Sequence, residues 1–145
     1  MSSTLKYRLS FANFTRTRIS KKMCELFLEM SSQCIKRPRF SGERIVILTF
    51  VGDDTMKTLN KKQRGKNHTT DVISFEYPET PKVSPFVFGE IFICVPQAKR
   101  QAKKLGHRLK DEIAFLFVHG FLHIHGYDHE KPQDEKVMFA LTDRI

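Results

Sequence analysis

Apolar and polar positions along this chain recur with short, well-separated periods, and they divide it into a series of elements. Leu5 to Phe11 alternates and predicts a first strand. Ile19, Met23, Leu26, Phe27 and Met30 recur at helical spacing and predict a helix ending near Ser31. Lys36 to Gly42, with Pro38 and Gly42, reads as a loop, and Arg44 to Val51 is a β-branched apolar run, the pattern of a buried strand. Asp53 or Asp54 is placed to cap a short helix with Met56 and Leu59 on its inner face. Thr70 to Phe75 predicts another strand; Pro78, Pro81 and Pro85 mark an irregular connection; Phe86 to Val95 reads as a fourth strand. Pro96 suits the first turn of a helix running to Leu105, which Gly106 ends. Leu109 to His125 is a further helix with Ile113, Leu116, Phe117 and Leu122 on an apolar face, and Val137, Met138, Leu141 and Ile145, after Pro132, indicate a last one. The sum is an α+β domain in which about four strands form one sheet packed with helices. Strand order and direction do not follow from the pattern.

Composition narrows the class. A length of 145 residues suits a single domain spanning residues 1–145, and 40% hydrophobic with 28% charged residues is ordinary for a soluble globular protein. Lys6, Arg8, Arg16 and Arg18 punctuate the first twenty residues, so no signal peptide is expected there. The apolar stretch Ile113 to Val118 is far too short to cross a bilayer, so no membrane partner is expected. Cys24, Cys34 and Cys94 show neither metal nor disulfide spacing, which suits reduced thiols in a cytoplasmic protein. Lys and Arg number 25 against 16 Asp and Glu, and this net charge of +9 favours a polyanionic partner, above all nucleic acid. The excess gathers in two runs: Lys57, Lys61, Lys62, Arg64 and Lys66, then Lys99, Arg100, Lys103, Lys104, Arg108 and Lys110. Either run also reads as a solvated face; the second lacks the exposed aromatics of a membrane-surface helix.

The candidate chemistry lies in the segment His119-Gly120-Phe121-Leu122-His123-Ile124-His125-Gly126-Tyr127-Asp128-His129. His119 and His123, four apart, share one face of a helix with Cβ atoms roughly 6 Å apart, a spacing that lets two imidazoles grip one metal ion. Gly126 suits the left-handed residue that ends a helix and turns the chain, bringing His129 back as a third ligand. His125 lies about 200° around the helix from His123 and should point elsewhere. The spacing H-x-x-x-H-x-x-G-x-x-H is that of metzincin zinc proteases, but those carry a glutamate base directly after the first histidine. Here Gly120 stands in its place, and glycine cannot take a proton. A structural zinc site usually closes its shell with four protein ligands, often cysteines, and no cysteine is near this cluster in sequence. Three histidines with one vacant position therefore describe a catalytic metal site of another hydrolase.

With these residues the chain resembles the YbeY family of bacterial metal-dependent endoribonucleases, whose signature is H-G-x-L-H-L-x-G-Y-D-H. Ile124 is the one substitution at a defined position. A second family block, L-N-x-x-x-R-G leading to T-D-V-L-S-F, stands here as Leu59-Asn60-Lys61-Lys62-Gln63-Arg64-Gly65 and Thr70-Asp71-Val72-Ile73-Ser74-Phe75. The family's G-D-I is Gly89-Glu90-Ile91, so Glu90 replaces an aspartate that faces the cleft, and Thr142 stands where an acidic residue is expected. The resemblance implies a zincin-like α+β fold and one Zn2+ per chain on His119, His123 and His129. It also implies that Arg64 is the functional arginine, and that single-stranded RNA is cut in ribosomal RNA maturation and quality control on the ribosomal small subunit.

Chemistry independent of the family agrees. Three neutral histidines leave zinc its +2 charge and an open position, which lowers the pKa of a bound water from 15.7 to about 7. Phosphodiester cleavage needs a further cation, and Arg64 offers a two-pronged N–H fork that lysine lacks. Attack by the substrate's 2′-hydroxyl on a metal-polarised phosphate is an alternative route that the residues do not separate from this one. Asp128 is either a second hydrogen-bonding partner of a ligand imidazole or a proton carrier, with the former favoured. Tyr127 packs beneath the turn, and Phe75 belongs to the core rather than to a base-stacking surface. Two other functions use the same residues: a metal-dependent hydrolase of another substrate, with peptidase disfavoured by Gly120, and a ribosome-associated RNA-binding factor with structural zinc.

Overall fold

The chain runs β1 (Leu5–Asn13), α1 (Lys21–Ser32), β2 (Gly42–Val51), α2 (Asp53–Arg64), β3 (Val72–Glu76), β4 (Phe86–Cys94), α3 (Val95–Leu105) and α4 (Leu109–Ile124). The computed structural model describes residues 5–33, 35, 42–64, 70–77 and 85–126. The helix expected after Pro132, residues 36–41 of the expected loop, and Pro78 and Pro81 lie outside the described residues.

Local chemistry sets the element ends. The Ser20 hydroxyl accepts from the Met23 N–H at 3.1 Å and starts α1. Neither Asp53 nor Asp54 is the cap of α2. The first helical bond runs from Met56 N–H to the Gly52 carbonyl, so both aspartates sit inside the first turn, where the helix dipole favours negative charge. Val95, expected in β4, instead begins α3, because Pro96 cannot donate to a sheet ladder but suits a helix start. Gly106, at φ +73°, closes that helix in the left-handed conformation.

The four strands form one mixed sheet in the order β1-β2-β4-β3, with β1, β2 and β4 parallel and β3 antiparallel to β4. The β2–β4 register jumps at one point: Ile45 lies opposite Val87, but Val46 lies opposite Gly89. Phe88 is the extra residue of a β-bulge, and it shifts the alternation of β4 by one. Phe86 and Phe88 before the bulge, and Ile91 and Ile93 after it, consequently face the same main core, with Leu48, Phe50, Phe27, Phe117 and Phe121. The opposite face holds a smaller cluster of Val51, Met56, Ile73 and Cys94, with Leu59, Phe75 and Phe92 packed against it.

Helix α4 lies across β3 and β4. Its seat on β4 depends on two glycines. A Cβ at Gly120 would meet Ile91 Cγ2 at 2.9 Å, and one at Gly89 would meet Ile124 Cδ1 at 2.7 Å. Each helix and strand therefore presents a notch to the other's isoleucine. This close seat buries α4 on nearly every side, which explains why its sequence is apolar all round.

Candidate metal centre

From Glu112 to Ile124 every residue of α4 is buried except Phe115, His119 and His123. These three are spaced at four-residue intervals, so they form the single open stripe of an otherwise enclosed helix. The rings of His119 and His123 have centroids 4.5 Å apart and tilt by 31°, while Phe115 lies 6.1 Å above His119. Two imidazoles at this separation suit coordination of one ion with N–metal bonds near ~2.0–2.1 Å. Because the stripe is carried by a packed helix, the pair is positioned before any ligand arrives. Imidazole nitrogens are donors of the type that a zinc-class ion takes.

His125 turns away, as its angular position requires. Its Nδ1–H donates to the Phe121 carbonyl at 2.8 Å, and its Nε2 lies 2.8 Å from the Tyr7 hydroxyl on β1. The Phe88 and Phe121 rings flank it, each with its centroid 4.5 Å away. Burial first, and then the nearby Arg44 charge, push its pKa down to about 4 against the opposing pull of the Phe121 carbonyl. The imidazole is thus neutral at pH 7, protonated on Nδ1, and accepts the Tyr7 proton on Nε2. Both nitrogens are engaged, which leaves His125 no lone pair for a metal. Tyr7→Phe removes one oxygen and leaves Nε2 an unsatisfied buried acceptor. It should cost about 1–3 kcal/mol in urea unfolding while leaving the metal content per chain unchanged. A loss of metal with no loss of stability would reverse this assignment.

The end of α4 is built to turn. The His125 and Gly126 N–H groups bond the carbonyls of Leu122 and His123 at 3.0 and 2.9 Å, and Gly126 has φ +88°. The chain then continues into Tyr127, Asp128 and His129, which lie outside the described residues. Among the described residues no third metal-binding side chain joins His119 and His123. Arg64 is the last residue of α2, and its side chain is not among those described.

Beside the histidine stripe runs a polar network that the sequence pattern did not single out. Glu112, 2% exposed, lies two turns before His119 on the same side of α4. Its carboxylate accepts from Gln101 Nε2 at 2.7 Å and pairs with His107 Nε2 at 2.6 Å. Gln101 also donates to Asp71 at 3.2 Å, and Asp71 in turn accepts the Val72 N–H at 2.8 Å. The start of β3, α3 and α4 are joined through these three side chains. Asp71 thereby terminates the connection from α2 instead of extending β3, which corrects the expected strand start at Thr70. Arg100, a conceivable second cation for a phosphate, is committed to Asp53 by a two-pronged pair at 2.8 and 3.2 Å that holds the Asp53 carboxyl below its usual range.

The family model described as Endoribonuclease YbeY matches residues 10–145 of this chain. The chain belongs to that family. A Lysinibacillus sphaericus protein named Endoribonuclease YbeY is 45% identical over 111 residues, 71% of each chain, and one from Limosilactobacillus reuteri is 34% identical over 143 residues, 90% of each. The solution structure of TM1509 from Thermotoga maritima superposes with a TM-score of 0.59 at 28% identity, covering 94% of this chain and 85% of that one.

The YbeY signature acquires physical content here. Its glycine after the first histidine, Gly120, is the notch that receives Ile91, so a side chain at that position faces the sheet and not the histidines. The aspartate of its T-D-V block is the Asp71 that ties β3 to α3. Glu90, the departure from G-D-I, does not face the histidines. It lies on the sheet face opposite α4, level with Phe75, and accepts from the Tyr77 hydroxyl at 2.7 Å. Phe75 packs edge-on against Phe92 at 5.8 Å in the smaller core cluster and is a core residue, as expected. Cys24 and Cys94 are free and buried, with burial raising their pKa values to about 12 and about 11, so neither supplies a thiolate at neutral pH.

Proposed function

We propose that this chain is a zinc-dependent endoribonuclease that cuts single-stranded RNA during ribosomal RNA maturation and quality control, working in the cytoplasm on the ribosomal small subunit. The observation that carries the reading is the pair of converging imidazoles on the one open stripe of α4, in a chain matched by the YbeY model over residues 10–145. His119 and His123 hold the ion from the helix, and His129 completes the set after the Gly126 turn. A bound zinc ion supplies the Lewis acidity that makes an oxygen nucleophile available near pH 7. The protein's own residues do the rest. The buried wall behind the stripe excludes water from one side of the phosphate. Arg64, the last residue of α2, donates its fork to the phosphoryl oxygens as negative charge develops. Asp128 orients a ligand imidazole by accepting its second N–H. In the described residues no helix is long and apolar enough to cross a membrane.

Purified protein freed of contaminating nucleases, assayed on single-stranded RNA with and without a chelator, tests the reading. Chelator-sensitive cleavage is expected, together with no useful cleavage of an unstructured peptide. Arg64→Lys keeps the charge but loses the fork and should lower the rate clearly. Arg64→Glu should lower it by about 10²–10³, the usual loss for one transition-state donor, with metal content and melting temperature nearly unchanged. An Arg64→Glu protein that cuts RNA as well as wild type would move the cation's role to another residue.

A further inference from the structure

The outward face of α3 differs from the other exposed helical surfaces. It carries Lys99, Arg100, Lys103 and Lys104, all exposed, and α3 contains no acidic residue. Arg100 is neutralised by Asp53, whereas Lys99, Lys103 and Lys104 have no ion-pair partner among the described residues. Lys99 and Lys103, like Arg100 and Lys104, are four apart, an arrangement that costs a helix a few tenths of a kcal/mol per like-charge pair. A face needing only solubility would mix signs. Helix α1 does so, with Lys21, Lys22, Glu25 and Glu29 exposed. Past Gly106 the exposed Lys110 follows, while Arg108 is paired with Asp111 at 3.3 Å.

Its position relates it to the histidines. His107 and Gln101 anchor the end of α3 on Glu112, and Glu112 lies about 10 Å along α4 from His119, from seven residues at 1.5 Å each. Lys99 and Lys103 stand about 160–200° around α3 from Gln101, so they face away from this anchor toward the outside of the domain. Leu105, 66% exposed, is the one large apolar side chain that α3 exposes, too little for a membrane-seated helix. We infer that Lys99, Lys103 and Lys104 hold the phosphate backbone of the RNA on the α3 side of the histidines, away from the bond that is cut. The inference rests on the RNA-cleaving reading above. Lysine point charges on a regular helix contact phosphates without reading bases, so this grip is independent of sequence and extends the substrate class to strands longer than the cleft itself needs.

Salt dependence tests it. Each lysine–phosphate contact contributes a slope of about −0.7 to log K against log salt for a single strand. Binding of a labelled 2′-O-methyl RNA of about 20 nucleotides, measured by anisotropy, should show a slope shallower by about 2 in the Lys99/Lys103/Lys104→Ala variant. At about 0.1 M salt its affinity should fall by about 10- to 100-fold. On cleavable RNA, KM should rise while kcat at saturation stays, and the melting temperature should hold or increase. A Lys21/Lys22→Ala control on α1 should leave the slope near the wild-type value. An unchanged slope in the triple variant overturns the inference, as does an equal loss per lysine in the α1 control. Loss of binding to phosphatidylserine vesicles with RNA binding intact also overturns it, by assigning the face to membranes. If wild type binds RNA with the expected slopes but cuts none, the enzymatic reading fails and the docking face stands. If it cuts RNA and the slope does not move, only the docking face fails.

Discussion

His123→Ala abolishes metal binding and RNA cleavage while leaving the protein folded: that is the expected result, and it is the largest effect on activity. The ring of His123 is one of two imidazoles on the partly exposed stripe of α4 and belongs to neither core cluster, so removing it leaves the core packing in place. His119 and the proposed His129 then supply two ligands instead of three, too few to hold a zinc-class ion against water and buffer at micromolar concentration. Metal content should fall from one per chain toward zero, read by elemental analysis of the dialysed protein. Cleavage should fall by at least about 10²–10³, what the loss of a single transition-state donor already produces. The neighbouring His125→Ala variant is the contrast. It should keep its metal and lose stability by about 2–4 kcal/mol, because a buried ring is deleted between Phe88 and Phe121 and Tyr7 loses its partner. Metal retained by His123→Ala, or lost from His125→Ala with the fold intact, would mean that the two histidines have been assigned the wrong way round.

The largest expected effect on folding comes from Gly120→Glu. In metzincin proteases a glutamate in this place is the base, so the substitution tests whether the site is a peptidase lacking one residue. The geometry answers that it is not. Already a Cβ at position 120 would lie 2.9 Å from Ile91 Cγ2 and 3.3 Å from its Cγ1, with the carboxylate directed into the buried seam between α4 and β4. Burying that carboxylate without a partner adds several kcal/mol to the overlap, so the variant should fail to fold or melt far below wild type. Gly120→Ala separates the two effects. Overlap costs about 1–3 kcal/mol, offset by about 1 kcal/mol from the better helix propensity of alanine. Adding Ile91→Ala removes the atoms it strikes, so the double variant should lose less than the sum of the singles in urea unfolding. A stable, peptide-cleaving Gly120→Glu protein would overthrow both the packing argument and the reading of the missing base.

Much of this architecture was legible beforehand because its signals are local. Periodicity placed seven of the eight elements within about two residues, and Pro96, Gly106 and Gly126 marked ends through constraints that belong to single residues. Boundaries moved for two kinds of reason: Pro96 drew Val95 into α3 locally, and elsewhere a longer-range partner intervened. Asp53 was drawn from its capping role to Arg100, and Asp71 left the strand to join Gln101. The orientation of His125 away from the histidine pair followed from helical angle alone, since 3.6 residues per turn is indifferent to what surrounds the helix.

Spacing and residue type along the chain were therefore enough to establish an α+β fold, the i,i+4 histidine pair, the turn at Gly126 and membership of a nuclease family. They could not establish the strand order β1-β2-β4-β3, the bulge at Phe88 that turns Ile91 and Ile93 inward, or the role of Gly120 as a packing notch rather than merely an absent base. Nor could they show that Glu90 faces away from the histidines or that Glu112 is a buried hub. Each of these depends on which surface meets which across tens of residues. A glycine's missing Cβ has no meaning until Ile91 is set against it, and a carboxylate's burial has none until Gln101 and His107 arrive to satisfy it.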